Sequence, residues 1–228
     1  MGKHSAYGSL ASRGRQDVKT VRSLKSWLCL AIIFLAGCGD RKDVLYDKAW
    51  HGDQLALAEY IKRGYDPNAA LWLAIKKNSA AFVEMLLTNG ADPNVAGGYS
   101  MTPLMIASTS AKPEIVRLLI QHGAKVDIRD ERGDNAVAYA VRGDAENIVL
   151  LVSTGANINN VNKNGDTPLS EAVAYQESSG LGQAAITILL SLGANANSTN
   201  HDGMTPITLA QRGNDSKIVA LLKSRLSH

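Results

Sequence analysis

The sequence predicts an all-α solenoid of about six helix-turn-helix repeats with short hairpin loops, and three observations carry that expectation. A glycine closes an amphipathic run at Gly64, Gly90, Gly123, Gly155 and Gly193, at steps of 26, 33, 32 and 38 residues. A Thr-Pro pair opens three units, at Thr102-Pro103, Thr167-Pro168 and Thr205-Pro206, with Asn135-Ala136 as a degenerate version at the remaining place. Between the marks, apolar residues fall at helical spacing in two short runs. Leu104 and Ala107, then Ile115, Val116, Leu119 and Ile120, show this best.

Each mark has a mechanical reason. The Thr hydroxyl accepts from a free amide of the first turn, and Pro at the first helical position sacrifices no hydrogen bond. Glycine takes the left-handed conformation that ends a helix. A pair of such helices cannot bury its apolar face alone, so identical neighbours must stack on it. A period near 33 residues with these marks resembles the ankyrin repeat. The resemblance covers 43–228, with repeats expected over 43–68, 69–96, 97–129, 130–161, 162–199 and 200–228.

In order, the first repeat turns Leu45, Ala49, Leu55, Ala58, Tyr60 and Ile61 inward and lacks a hairpin of its own. The second, also without Thr-Pro, uses Leu71, Leu73, Ala74, Phe82, Val83, Leu86 and Leu87. Atypical outer repeats are expected where one face meets solvent. The third carries a hairpin tip at Gly97-Gly98-Tyr99-Ser100. The fourth buries Val137, Ala140, Ile148, Val149, Leu151 and Val152. The fifth is about six residues longer, and its surplus around Tyr175 to Gly182 reads as a loop between its helices, where insertions in solenoids fall. The sixth ends on Ile218, Val219, Leu221 and Leu222, with Lys217, Lys223 and Arg225 making a basic cap at the negative helix end. Ankyrin repeats often carry His two residues after the Pro. Met105, Ala138, Ser170 and Thr208 stand there instead, which implies a weaker network between hairpins and more reliance on aliphatic packing.

The N-terminus reads differently. Arg22 and Lys25 precede Trp27-Leu28-Cys29-Leu30-Ala31-Ile32-Ile33-Phe34-Leu35-Ala36-Gly37. A basic flank, a short apolar run and a small-residue exit describe an export signal over 1–37, too short for a membrane-spanning helix. Leu35-Ala36-Gly37-Cys38 resembles the bacterial lipobox, which implies cleavage before Cys38, lipidation of its sulfur, and a tether over 38–42. Gly39, in place of an Asp, then favours the outer membrane over the inner. The polar stretch 1–20 is long for such a signal and fits an extended front or a start codon further on. Of the 24 basic and 21 acidic residues, six and one respectively lie in 1–37, so the rest carries 18 against 20, a net of −2. That balance gives nucleic acid no electrostatic footing.

Both cysteines, Cys29 and Cys38, precede the repeats, which removes disulfide, zinc-thiolate and cysteine-nucleophile chemistry from the solenoid. The histidines of the repeats lack zinc-helix spacing, and no nucleophile-elbow or phosphate-loop pattern occurs. Asn160, Asn162, Asn164, Asp166 and Glu171 match calcium-loop spacing, yet three neutral Asn are poor ligands for a hard cation and turn chemistry explains them. The paired acids Asp130 and Glu131 fall on a hairpin tip facing water or a partner. No catalytic residue, metal, cofactor or small-molecule substrate is therefore expected. The ankyrin resemblance implies a concave binding surface built from hairpin tips and inner helices. By position it comprises Tyr99, Met101, Arg132, Asp134, Arg142, Lys163, Asn164, Tyr175, Leu181, His201, Met204 and Arg212. The expected function is a lipid-anchored module of the bacterial envelope that binds a protein partner. An immunity protein neutralising a toxin is one version, and a scaffold protecting a periplasmic enzyme is the alternative. A hydrolytic enzyme is the opposing class, and it lacks convergent polar groups.

Overall fold

The computed structural model describes residues 41–110, 112–179 and 182–226. The expected signal over 1–37, Cys38 and Leu181 lie outside the described residues. Among those residues the chain forms twelve α-helices in six antiparallel pairs and no strand. The pairs are α1 (Arg41–Trp50) with α2 (Gln54–Lys62), α3 (Pro67–Lys76) with α4 (Ala80–Thr88), and α5 (Pro103–Ser110) with α6 (Pro113–Gln121). They continue as α7 (Ala136–Ala140) with α8 (Ala145–Ser153), α9 (Pro168–Ser179) with α10 (Gln183–Ser191), and α11 (Pro206–Arg212) with α12 (Ser216–Leu226). From α3 onward the odd-numbered helices stack as an inner layer and the even-numbered as an outer layer.

Helix ends follow the local chemistry. Asp53, Asp66, Asn135 and Asp144 cap α2, α3, α7 and α8 through their side chains, while Thr205 and Thr208 form a reciprocal capping box on α11. Asn135 thus does the work of the Thr it replaces. The closing glycines take positive φ, +91° at both Gly90 and Gly123. The next residue then folds back on the helix, as Ala91 N donates to Leu86 O at 3.0 Å and Ala124 N to Leu119 O at 2.9 Å. Ala91, Ala124, Ala156 and Ala194 are each buried after their glycine, the apolar contact that completes such a cap.

One continuous core runs along the stack through Leu71, Phe82, Leu104, Ile115, Leu119, Ile148, Leu169, Ile186, Leu189 and Leu222. Four residues expected inside point outward: Leu55 is 82% exposed, and Ala58, Leu73 and Val149 are exposed too. In α2 the Asp53 cap fixes the register, so Ala56, Leu57 and Tyr60 share the inner face. In α8 the inward place is held by Asn147, whose Nδ2 donates to Ser108 O at 3.3 Å in the preceding repeat. Ring contacts join the first repeat to the second. Tyr46 and Trp50 meet Phe82 edge-on, with centroids 5.4 and 5.2 Å apart.

Three boundaries also differ. Helix α1 already includes Arg41 and Lys42 of the expected tether, and α3 begins at Pro67 because Asp66 caps it, so the second repeat opens on Asp-Pro. The surplus of the fifth repeat lengthens α9 to 12 residues instead of forming a loop from Tyr175 on.

Candidate binding face

The hairpin tips are built by their own side chains. Asp130, Asn162 and Asn200 occupy equivalent places. Each folds the turn after it by accepting two amides on Oδ1, from Arg132 and Asp134 (2.8 and 2.9 Å), Asn164 and Asp166 (2.9 and 3.0 Å), and Asp202 and Met204 (3.1 and 3.0 Å). This is the chemistry for which Asn and Asp are favoured in turns. It consumes the acceptor oxygens the calcium reading would need at Asn162, while Asn160 Nδ2 donates to Gly133 O at 2.8 Å.

Successive tips are then laced together. Glu131 N donates to Tyr99 O at 3.0 Å, Lys163 N to Arg132 O at 2.8 Å, and His201 N to Asn164 O at 3.0 Å. Side-chain rungs run beside them: Asn162 Nδ2 to Asp134 Oδ1 and Asn200 Nδ2 to Asp166 Oδ1, both 2.9 Å. At the opposite ends of the repeats, Asn68, Asn94, Asp127 and Asn159 each accept the amide of the next repeat, from Asp92, Lys125, Asn157 and Asn195. The expected weakness between hairpins is therefore corrected. Asn and Asp carry the network, while Ser170 and Thr208 cap their own helices and Ser170 also donates to Asp166 Oδ1 at 3.4 Å.

The third tip has no such Asn or Asp. Tyr99 and Ser100 instead hold left-handed backbone, φ 58° and 56°, a conformation bulky residues adopt at a cost. Gly97 closes the tip against Trp72, whose ring a Cβ would meet at 2.8 Å. The outcome is an aromatic ring held 73% exposed at the head of the ladder.

Of the expected surface residues, Tyr99, Arg132, Lys163, Asn164 and His201 line the tips and are exposed. Met101 is half-buried against the core. Asp134 is corrected: it is 1% exposed, taking Asn162 and an ion pair from Arg132 at 3.0 Å. Asp130 is likewise buried rather than facing water. The Tyr139 hydroxyl donates to it at 2.7 Å, and the Arg132 guanidinium lies 5.8 Å from the centre of the same ring. Burial, then that hydrogen bond, pushes the Tyr139 phenol up to about 12.

Arg142, Tyr175, Met204 and Arg212 converge on a cleft of about 390 Å³ between α9, α11 and the last tip. Its acidic lining includes Glu171, which the sequence reading passed over as a site residue. Glu171 accepts from Arg142 Nη2 at 3.0 Å and Asn162 Nδ2 at 3.1 Å, with its side chain 13% exposed. Burial, then the neighbouring Asp134 charge, raises its carboxyl to about 7 against the pull of Arg142 and Arg132. A signal existed. Glu171 holds the register position that is Tyr139 in the fourth repeat and Leu209 in the sixth.

The family model for ankyrin repeats (three copies) matches residues 45–130. An ankyrin repeat protein of Fowlpox virus (strain NVSL) is 38% identical over 117 residues, covering 50% of this chain and 34% of that protein. An ankyrin repeat domain-containing protein of Stachybotrys chartarum is 37% identical over 108 residues, 47% of this chain and 6% of that one. The phosphocholine transferase AnkX of Legionella pneumophila is 28% identical over 148 residues, 60% of this chain and 16% of that one. The chain spans about a third or less of the length of these relatives. The described part is an all-α solenoid of six helix pairs in which ankyrin repeats are matched over 45–130, and repeats of that kind are a generic protein–protein interaction module.

Proposed function

We propose that this chain is a lipid-anchored module of the bacterial envelope, facing the periplasm, whose laced hairpin tips and inner helices bind a protein partner. The observation that supports this reading most is the tip ladder headed by exposed Tyr99. A surface already ordered by backbone bonds loses little entropy on docking, and an exposed ring on such a surface suits an interface anchor. Neutralising an envelope-targeted toxin is the form of binding we favour, since a rigid concave face can cover an active site. No nucleic acid enters the proposal, and the net charge of −2 outside 1–37 fits that.

The test is capture from detergent-solubilised envelopes with the processed protein, run beside a Tyr99→Ala bait. A partner held by the wild type and lost by the variant supports the reading. A partner set identical for both baits removes the concave face from it. Outer membrane in preference to inner is tested by density separation of the same envelopes.

A further inference from the structure

We propose that the cleft between the fifth and sixth repeats receives a cationic side chain, an arginine above all, from the bound protein. The guanidinium would lie against Asp166, Glu171 and Asp202, with its stem on Tyr175 and Met204. This inference rests on the protein-binding reading above and names the chemistry of its anchor.

The chain itself supplies the comparison. On the fourth repeat, Arg132 Nη2 pairs with Asp134 at 3.0 Å and Nε with Asp130 at 3.5 Å, beside the Tyr139 ring. That is one guanidinium cradled by two acids and an aromatic face. One repeat on, Asp166 is the equivalent of Asp134, and Glu171 adds a second acid at the place of Tyr139. The residue equivalent to Arg132 is Asn164, and in the sixth repeat Asp202. One acid of the cradle is kept as Asp166, the place of Asp130 is the neutral Asn162, Glu171 supplies the second acid, and the guanidinium of the Arg132 place is gone.

Space was made as well. Arg142 and Arg212 share a register position in the fourth and sixth repeats, where the fifth has Ala174, and the cleft opens beside that small side chain. Arg142 is committed to Glu171. Arg212 leans on the Met204 sulfur at 3.7 Å and has no carboxylate partner among the described residues. With Arg142 and Glu171 paired to each other, the lining acids Asp166 and Asp202 outnumber Arg212, so a cation is the guest the field favours. Tyr175 and Met204 give its alkyl stem and guanidinium plane an apolar, polarisable wall.

The experiment uses the full chain in detergent, labelled with 13C at its methionine methyls. Met204 lies in the cleft, whereas Met85 and Met105 are buried elsewhere and serve as internal controls. N-acetyl-arginine amide should shift the Met204 methyl saturably and leave Met85 and Met105 still. Asp202→Asn and Glu171→Gln should each weaken that response about fivefold, within the range of one lost hydrogen bond. Because Asp202 is exposed, its variant keeps the fold if Glu171→Gln disturbs it. The proposal is overturned if the uncharged citrulline amide shifts Met204 equally, or if N-acetyl-glutamate amide binds instead, through Arg212. Silence of Met204 towards every probe overturns it too. None of these outcomes needs the protein partner, so failure here is separable from failure of the binding role itself.

Discussion

Glu171 shows how one side chain couples the fold to pH. Its carboxyl titrates near 7 in the folded chain against an ordinary value of 4.5, so between those values the native state holds the proton that the unfolded chain has released. Stability is then fullest below about pH 4.5 and falls as pH rises towards 7, by up to about 1 kcal/mol per pH unit. Glu171→Gln should flatten that slope in denaturant melts at pH 5, 6 and 7, and an unchanged slope would count against the assignment. Tyr46 offers the opposite kind of test. Its hydroxyl is buried without a partner among the described residues, so Tyr46→Phe should be neutral or stabilise by up to about 1 kcal/mol. Gly165 is less forgiving: at φ +79° a Cβ would sit 2.7 Å from the His201 amide nitrogen. Gly165→Ala should therefore destabilise by about 1–3 kcal/mol and disturb the tip ladder, which amide exchange at His201 would report.

Helices and hairpins were legible to unequal degrees. Thr-Pro and Gly marks act through the backbone next to them, and they located the hairpins because nothing distant competes with a cap. The facing of single side chains was less legible. Leu55, Leu73 and Val149 look like core from composition, but cap position sets the rotation of a three-turn helix, and Asp53 turned Leu55 into water. The lacing of the tips was hidden for a different reason. Asn162 and Asn200 announce a turn in sequence, whereas their second bond, to Asp134 and Asp166 some thirty residues away, exists only once repeats stack. The cleft was half visible: Tyr175, Met204, Arg142 and Arg212 were singled out, while Glu171 needed the register of three repeats laid side by side. At this scale Leu119→Ala, fully buried in α6, should cost about 2–5 kcal/mol. Lys163→Ala, exposed on its tip, should stay within about 0.5 kcal/mol. Equal losses in urea melts would contradict the packing described.

At the largest scale the described residues form a stack in which the main contacts between repeats join neighbours, so stability is close to a sum of repeats and interfaces. That architecture makes a stiff, shallow face and leaves its chemistry to whatever the tips and inner helices carry. The proposed anchor acts on the same scale, fixing where that face is displayed. Cys38→Ser should leave the protein unprocessed, or free it from membranes after cleavage, and a variant that fractionates with membranes at the processed mass would remove the lipobox from the account. The most direct trial of the central claim is the affinity of the captured partner for the wild type and for Tyr99→Ala, titrated side by side after both are shown to be equally helical. The laced face predicts a loss of more than about 1 kcal/mol, roughly fivefold or greater, for Tyr99→Ala. Equal affinities would contradict it and move the docking surface to the outer helices.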